Sequence, residues 1–373
     1  MIELKCNKEI YDLFFKTMFE RHQIWYKRFV LKEQHLTDDE IFQKYKFTNV
    51  YRELDKNTQW QIQNVFMDES LDVRQMIFKL FVFRLVNNIV TFNEAERMYG
   101  WKNGLPKIGE YTSEKFYELL ESLHKNGITP FTSAYLVYNG KGCTRHEFFS
   151  NVVFPTIIDN IDGIINTCKT AKSAREILDY LATFEGIGRF NAYQLYIDLT
   201  YIDTFSHIHL FDFKKDSDIN IGPGSTTGAK LIYPDAKPKD VLNIFNHLAS
   251  VAEEELTKIA NETNSEPYKY LKFDKNGFHL TNECTITITE IEHWLCEFQK
   301  YYGCYTHTGK SRTKFVPAEN QKYIDITEEN QKYTGVTEEN NLIEENNLTE
   351  EQQSKVSAFV EEIIKRYNPN NPY

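Results

Sequence analysis

Two stretches with helical spacing of apolar residues meet at a glycine pair, Gly186 and Gly188, and this joint restricts the local fold more than any other feature. Glycine reaches positive φ without steric cost, so the pair permits a turn that is too tight for other residues. Ile187 is expected to point back between the two helices. The pattern predicts a helix-hairpin-helix element over residues 181–195, packed by Leu181, Phe184, Ala192 and Leu195.

The hairpin also predicts a contact with nucleic acid. Backbone N–H groups at the start of its second helix, around Gly188 and Arg189, have no partner within the helix and lie at its positive end. Such groups suit a DNA phosphate, although an ordinary tight turn fits the same residues and stays open as an alternative. Tyr193 and Gln194 follow on this helix, and we expect them either to line a base pocket or to pack the hairpin.

Composition limits the class of protein. The chain has 373 residues, 14% of them aromatic, which is enough for a large packed core. A formal net charge of −11 argues against tight, non-specific DNA binding, but it leaves room for a local basic groove. The six cysteines have no C-x-x-C spacing, which predicts reduced thiols and no zinc site. The N-terminus lacks a signal-peptide pattern and no apolar run spans a bilayer, so we expect an intracellular protein without membrane contact.

Helical spacing recurs along most of the chain and predicts a mainly α fold with few short strands. A degenerate acidic repeat follows, with ENQKY at 319–323 and again at 329–333, and it predicts a disordered tail. We therefore divide the chain into a helical domain at 1–317, the acidic repeat tail at 318–350, and a short terminal helix with its tail at 351–373. Within the first domain we expect helices near 47–66, 72–88, 113–125, 147–168 with a break at Pro155, 190–200, 238–264 and 290–302, and β-like alternation over 276–288.

Glycines and hydroxyl groups stand together in GPGSTTG at 222–228, where Gly222, Gly224 and Ser225 form a turn. A turn of this kind offers backbone N–H groups to a phosphate, and a purely structural loop is an equally good interpretation. No stretch satisfies G-x-x-x-x-G-K-[ST], so we do not expect the chain to be a P-loop kinase by itself.

A short basic stretch at 309–315 supplies Lys310, Arg312 and Lys314, which are expected to neutralise phosphates. His207 and His209 alternate near acidic residues, but their spacing suits a metal ion poorly. We therefore predict no metal.

Six segments, taken in order, resemble one known family. They are FTNVYRELDKNTQW (47–60), IFKLFVFRLVNN (77–88), PFTSAYLV (130–137), LATFEGIGRFNAYQLYIDL (181–199), DINIGPGSTTG (218–228) and HTGKSRTKF (307–315). They look like the helical domain named for hydroxymethyluracil DNA kinases, also described as alpha-glutamyl/putrescinyl thymine pyrophosphorylases. The resemblance covers about residues 10–316 and implies a fold similar to helix-hairpin-helix DNA glycosylases.

The resemblance implies a role in hypermodifying thymine in DNA, mainly in phages, so the host cytoplasm is one expected location besides the cytoplasm or nucleus of a cell. There, a hydroxymethyl group on uracil is phosphorylated or pyrophosphorylated, and an amine then displaces the pyrophosphate. Because this chain lacks a P-loop, we expect the transfer step here and the kinase on a separate protein. Modified DNA is the expected partner, an amino acid or polyamine is the expected co-substrate, and no other cofactor is implied.

By motif, the implied catalytic set is Arg52, Asp55, Asp198 and Asp218, and Asn49 joins the base pocket. As a hypothesis, Asp218 or Asp198 acts as general base on the amine, and Arg52 holds the leaving pyrophosphate. Spacing alone does not choose among the aspartates beyond the hairpin. Two other readings stay open, namely a glycosylase that excises a modified base, and a non-catalytic module that binds modified DNA and works with a kinase.

Overall fold

A computed structural model describes residues 4–132, 142–213, 219, 221–275 and 277–309. Helices dominate this part of the chain, which confirms the predicted mainly α class. Two short strands, β1 (Tyr270–Asp274) and β2 (Gly277–Thr281), pair as an antiparallel hairpin. The helices are α1 (Lys8–Tyr26), α2 (Glu40–Lys44), α3 (Lys56–Gln61), α4 (Val73–Val86), α5 (Ile89–Tyr99), α6 (Ser113–Lys125), α7 (Arg145–Phe148), α8 (Phe154–Asp159), α9 (Ile161–Thr170), α10 (Ala174–Leu181), α11 (Arg189–Phe205), α12 (Pro223–Ile232), α13 (Val241–Glu262) and α14 (Ile288–Tyr305).

Helix α4 passes through the interior of the molecule. All of its residues from Met76 to Val86 are buried, as its continuous apolar sequence requires. Asp72 caps its N-terminus and Asn87 ends it in the left-handed conformation, so both ends lie where the sequence predicts them. The ring of Phe83 stacks on Trp60 of α3 with their centroids 4.5 Å apart. Helix α4 also packs against α9 and α11, and it therefore links the N-terminal segment to the hairpin.

Helices α10 and α11 form the predicted hairpin. Gly186 has a φ of +82°, and a Cβ atom at this position would lie 2.8 Å from the Phe148 ring and from a Val153 methyl group. Ile187 is 1% exposed between the helices, as predicted. Gly188 is the extended N-cap of α11, and its surroundings are open. The expected packing residues are all buried, namely Leu181, Phe184, Ala192 and Leu195.

The helix predicted over 47–66 is wrong in its first half. Residues 47–51 are not helical, Arg52–Leu54 is a single 3-10 turn, and α3 begins only at Lys56. The cause is the side-chain amide of Asn49, which donates hydrogen bonds to the Leu54 carbonyl oxygen at 3.0 Å and to Asp55 Oδ1 at 3.1 Å. Bonds from a side chain to the nearby backbone compete with helical ones and favour a turn.

The chain between 145 and 170 is helical, but its break differs from the one predicted at Pro155. A π-helical turn, Phe149–Val153, comes first, and Pro155 then lies in the first turn of α8. A proline has no N–H to donate, so it fits where the regular helical bonding is already interrupted. The sharp change of direction comes later, at Asn160 between α8 and α9.

Among the described residues, no single helix has both the length and the apolar composition to cross a bilayer, although the bent pair Arg145–Asp159 and Ile161–Thr170 meets both criteria together. The predicted acidic tail and terminal helix lie outside the described residues, and the predicted domain limits stay a prediction.

Candidate active site at the Arg52 turn

The segment from Thr48 to Asp55 is fixed to helix α14. The Thr48 N–H donates to Glu297 Oε2 at 3.2 Å, and the Thr48 hydroxyl lies 2.9 Å from His293 Nε2. Asn49 closes the turn by donating its backbone N–H to Asp55 Oδ1 at 3.0 Å. These hydrogen bonds hold Arg52–Leu54 close to the start of α14. The conformation of the segment therefore depends both on bonds within it and on bonds to α14.

Arg52 is 8% exposed and lies among acidic groups. Burial raises the pKa of Asp55 and of Glu292, and in both cases the positive charge of Arg52 opposes the rise. The same charge adds to the effect of burial on His293, whose pKa falls to about 3. His293 is therefore neutral at pH 7. The planar guanidinium of a buried arginine can donate two parallel hydrogen bonds to the oxygens of a phosphate, and the neutral imidazole adds no competing charge.

The carboxylate of Glu292 faces the beginning of α12. Hydrogen bonds from the Ser225 side chain and the Gly222 backbone stabilise its charged form against the cost of burial. Ser225 is completely buried and also bonds the Gly222 carbonyl oxygen at 3.2 Å. The carboxylate of Glu292 therefore lies at the N-terminus of α12, a position where the helix dipole also stabilises a bound anion.

Close packing of α12 on α14 makes this arrangement possible. A Cβ at Gly224 would lie 2.6 Å from Cys296 Sγ, and a Cβ at Gly228 would lie 2.3 Å from the Leu295 carbonyl oxygen. Gly224 and Gly228 therefore serve the close packing of α12 against α14. This supports the structural interpretation of the motif for Gly224, while Gly222 and Ser225 border the polar site.

Tyr193 reaches the same place from α11. It is 2% exposed, and its hydroxyl has no hydrogen-bond partner within the described part of the chain. Burial raises its pKa far above the usual range, and the charges of Glu292 and Arg52 act on it as well. A buried hydroxyl without a partner costs free energy, and such groups are often satisfied by a ligand or an ordered water. Tyr193 therefore adds a buried hydroxyl group to the site.

The structure brings several sequence-predicted residues together across long separations in the chain. Those that meet at the Arg52 turn are Asn49, Arg52, Asp55, Tyr193, Gly222 and Ser225. Gln194 is buried one position further along α11, on a different side of the helix from Tyr193. Gly186, Gly188 and Arg189 form the exposed hairpin end, where Arg189 pairs with Asp179 at 3.1 Å.

Asp198 is placed elsewhere, in the interior. Its side chain is 0% exposed and holds Arg84 through two contacts, 2.5 Å from Oδ2 to Nε and 2.7 Å from Oδ1 to Nη2. Gln61 donates to Oδ2 at 3.0 Å as well. The predicted role of Asp198 as a base stays a prediction, but its oxygens are already engaged. Asp218, Lys310, Arg312 and Lys314 lie outside the described residues.

Sequence reasoning missed three members of the site, namely Glu53, Glu292 and His293. Glu292 and His293 belong to a helix that was correctly predicted, yet it was treated only as a core element. Glu53 lies in the segment over 47–66 that the apolar spacing predicts as one helix. Among the described residues, no cluster of three or more His, Cys, Asp or Glu side chains has the arrangement to hold a metal ion.

Fold and site together define a mainly helical protein with a helix-hairpin-helix element and a buried polar site built around one arginine. The chain belongs to the family described as 5-hmdU DNA kinase, helical domain, whose model matches residues 8–310. It is also similar to the curated protein named 5-hmdU DNA kinase of Bacillus phage SP10, with 26% identity over 313 residues. The match covers 81% of this chain but only 46% of that relative. No solved structure matches the chain, so the expected likeness to DNA glycosylases stays a prediction.

Proposed function

We propose that this protein takes part in the hypermodification of thymine in DNA, and that the Arg52 site holds a phosphorylated or pyrophosphorylated 5-hydroxymethyluracil. Family membership supports this substrate, because the phage relative is named for 5-hmdU in DNA. The observation that carries the proposal is that the Arg52 charge acts both on the buried Tyr193 hydroxyl and on Glu292, which bonds Ser225 at the start of α12. A guanidinium and neutral donors at a helix start suit phosphate oxygens.

The step that we propose is a transfer. The nitrogen of an amino acid or polyamine attacks the methylene carbon of the modified base, and a C–N bond forms. The bond between that carbon and the pyrophosphate oxygen breaks, and the pyrophosphate leaves with the bonding electron pair. Arg52 stabilises the charge on the leaving group, and the nitrogen gives one proton to a general base. A kinase activity supplies the phosphorylated base, since these residues contain no G-x-x-x-x-G-K-[ST] motif.

Glu292 is the general base that the geometry supports best. Burial raises the pKa of its carboxyl, which makes it a better proton acceptor than an exposed glutamate. It also borders Arg52, so the base and the leaving-group anchor share one site. Using Asp198 instead would require breaking its buried ion pair with Arg84. Asp218 remains the second candidate on the strength of the sequence alone.

We propose that the hairpin holds the DNA backbone. Gly188 and Arg189 lie at the exposed start of α11, where N–H groups and the helix dipole attract a phosphate. Tyr193 lies five residues further along the same helix, a rise of about 8 Å. That separation allows a nucleotide whose base is turned out of the duplex to reach the Arg52 site while its phosphate stays at the hairpin.

The test uses DNA that carries 5-hydroxymethyluracil in unmodified, phosphorylated and pyrophosphorylated forms, with a mixture of amino acids and polyamines. Nucleosides are analysed by mass spectrometry, and released pyrophosphate is measured in parallel. We expect a heavier thymidine derivative from the pyrophosphorylated substrate. Arg52→Ala should lower its rate about 100-fold or more, because one charged contact to the leaving group is lost. Arg97→Ala, an exposed arginine paired with Glu94 on α5, is the matched control and should retain full activity.

Each other outcome has a definite meaning. Full activity of Arg52→Ala would overturn the assignment of the leaving-group site. Abasic positions in the treated DNA would indicate base excision. Binding of modified DNA without any product would indicate a recognition module that depends on a kinase partner.

A further inference from the structure

A further carboxylic acid besides Asp55 and Glu292 stands beside Arg52 and takes no part in the transfer step described above. Glu53 occupies the next position of the same 3-10 turn, and its Oε2 atom is buried without a hydrogen-bond partner in the described part of the chain. An ionised carboxylate in that position would lose much of its hydration, and a backbone hydrogen bond and the charge of Arg52 would compensate for only part of that loss. The geometry therefore favours the neutral form of this side chain.

Glu290 on α14 interacts with Glu53, and its negative charge favours the protonated form of Glu53. The Glu290 Oε2 atom accepts hydrogen bonds from the Thr287 N–H at 2.8 Å and from the Thr287 hydroxyl at 2.6 Å. It also lies at the positive N-terminal end of α14, where a negative charge is stable. Because Glu290 takes the negative charge, Glu53 keeps the proton. Burial and this neighbouring charge raise the pKa of Glu53 to about 8.

We propose that Glu53 is a positioning residue whose neutral side chain adds no further negative charge beside Arg52 and so preserves the potential that attracts an anionic ligand. The charged and titratable groups that face it are Arg52 and Asp55 on its own turn, Glu290 on α14 and Tyr201 on α11. Asp55 and Glu292 already oppose part of the Arg52 charge. Ionisation of Glu53 places another negative charge next to Arg52. The positive potential that attracts a phosphate to Arg52 therefore falls.

This inference rests on the proposed function, because it assumes that Arg52 binds the pyrophosphate group. It predicts a direction of pH dependence. Anion binding favours the protonated form of Glu53, so affinity is full below the pKa of about 8 and falls as the pH rises through that value. Above it, the loss approaches about tenfold per pH unit if binding requires the neutral acid.

The experiment measures the affinity of the full chain for inorganic pyrophosphate by calorimetry between pH 6.5 and 9.5. Glu53→Gln is the matched variant, since the amide has the shape of the protonated acid and cannot ionise. The ratio of the wild-type and Glu53→Gln dissociation constants at each pH cancels the titration of pyrophosphate itself. We expect this ratio to be constant below pH 7.5 and to rise about tenfold by pH 9. A ratio that stays constant over the whole range overturns the inference.

A second variant keeps the test decisive if Glu53→Gln does not fold. Glutamine in place of Glu290 preserves the capping interaction with Thr287 but removes the neighbouring negative charge. Glu290→Gln should therefore move the fall in affinity to lower pH, and an unchanged midpoint contradicts the inference. Pyrophosphate binding that is absent at every pH, or is the same in Arg52→Ala, overturns the proposed phosphate site itself. The two failures are thus distinguishable.

Discussion

Arg84 and Asp198 form a buried ion pair that joins α4 to α11 across 114 positions of the chain. The side chains are 4% and 0% exposed, and the guanidinium contacts both carboxylate oxygens. Gln61 completes the network by accepting a bond from Arg84 Nη2 at 2.9 Å. The two side chains therefore neutralise each other's charge in the interior.

Asp198→Asn should destabilise the fold by about 3–5 kcal/mol, because it leaves the Arg84 charge buried without its counter-ion. Chemical unfolding followed by circular dichroism measures the change. The double variant Arg84→Met with Asp198→Leu should lose less stability than Asp198→Asn, since no isolated charge remains. A larger loss in the double variant would contradict this account of the pair.

This pair also shows what one sequence can and cannot provide. The apolar run around Arg84 predicts a buried helix, and the helix is present with nearly the predicted bounds. The partner of Arg84 is invisible in the sequence, because charge spacing reveals only pairs within one element. The resemblance places Asp198 in the implied catalytic set. Its ion pair with Arg84 becomes visible only in the structure.

The candidate site at the Arg52 turn was also predictable only where its signals are local in the sequence. Hairpin packing was predictable because glycines and apolar spacing are local signals, and Ile187 lies where they require. The segment at 47–55 was predicted as helix because its apolar spacing is helical, but side-chain bonds of Asn49 impose a turn instead. Glu292 and His293 enter the site only through the packing of α14 on distant segments, which no spacing rule reports.

The two glycines of the hairpin turn provide a stability prediction and its control. Gly186→Ala should destabilise the fold by about 1–3 kcal/mol, because φ is positive and the new methyl group meets Phe148 and Val153 at 2.8 Å. Gly188→Ala, two positions away, meets no atom within 4 Å and should cost under about 1 kcal/mol, the usual loss for alanine at an N-cap. Equal losses in thermal or chemical unfolding would show that the turn geometry does not matter.

The close packing of α12 on α14 predicts that a second substitution restores the stability lost through a first one. Gly224→Ala places a methyl group 2.6 Å from Cys296 Sγ, so we expect a loss of about 1–3 kcal/mol in the free energy of unfolding. Adding Cys296→Ala removes the obstructing sulfur and should restore most of that loss. Gly228→Ala collides with the Leu295 backbone oxygen instead, at 2.3 Å, and Cys296→Ala should not rescue it. Rescue of both glycine variants, or of neither, would contradict the proposed contact.

The raised pKa of Glu53 predicts how the stability of the ligand-free protein depends on pH. Its pKa is about 8 in the folded protein, against an ordinary 4.5. Between these values the folded state holds a proton that the unfolded chain has released, so stability is full below pH 4.5 and declines as the pH rises towards 8.

Unfolding experiments between pH 5 and 8 test this, and Glu53→Gln should remove a slope of up to about 1.4 kcal/mol per pH unit from the free energy of unfolding. Glu254→Gln, at an exposed position of α13, is the matched control and should leave the slope unchanged. If Glu53→Gln shows the wild-type slope, Glu53 is ionised in the folded protein, which contradicts its predicted neutral form.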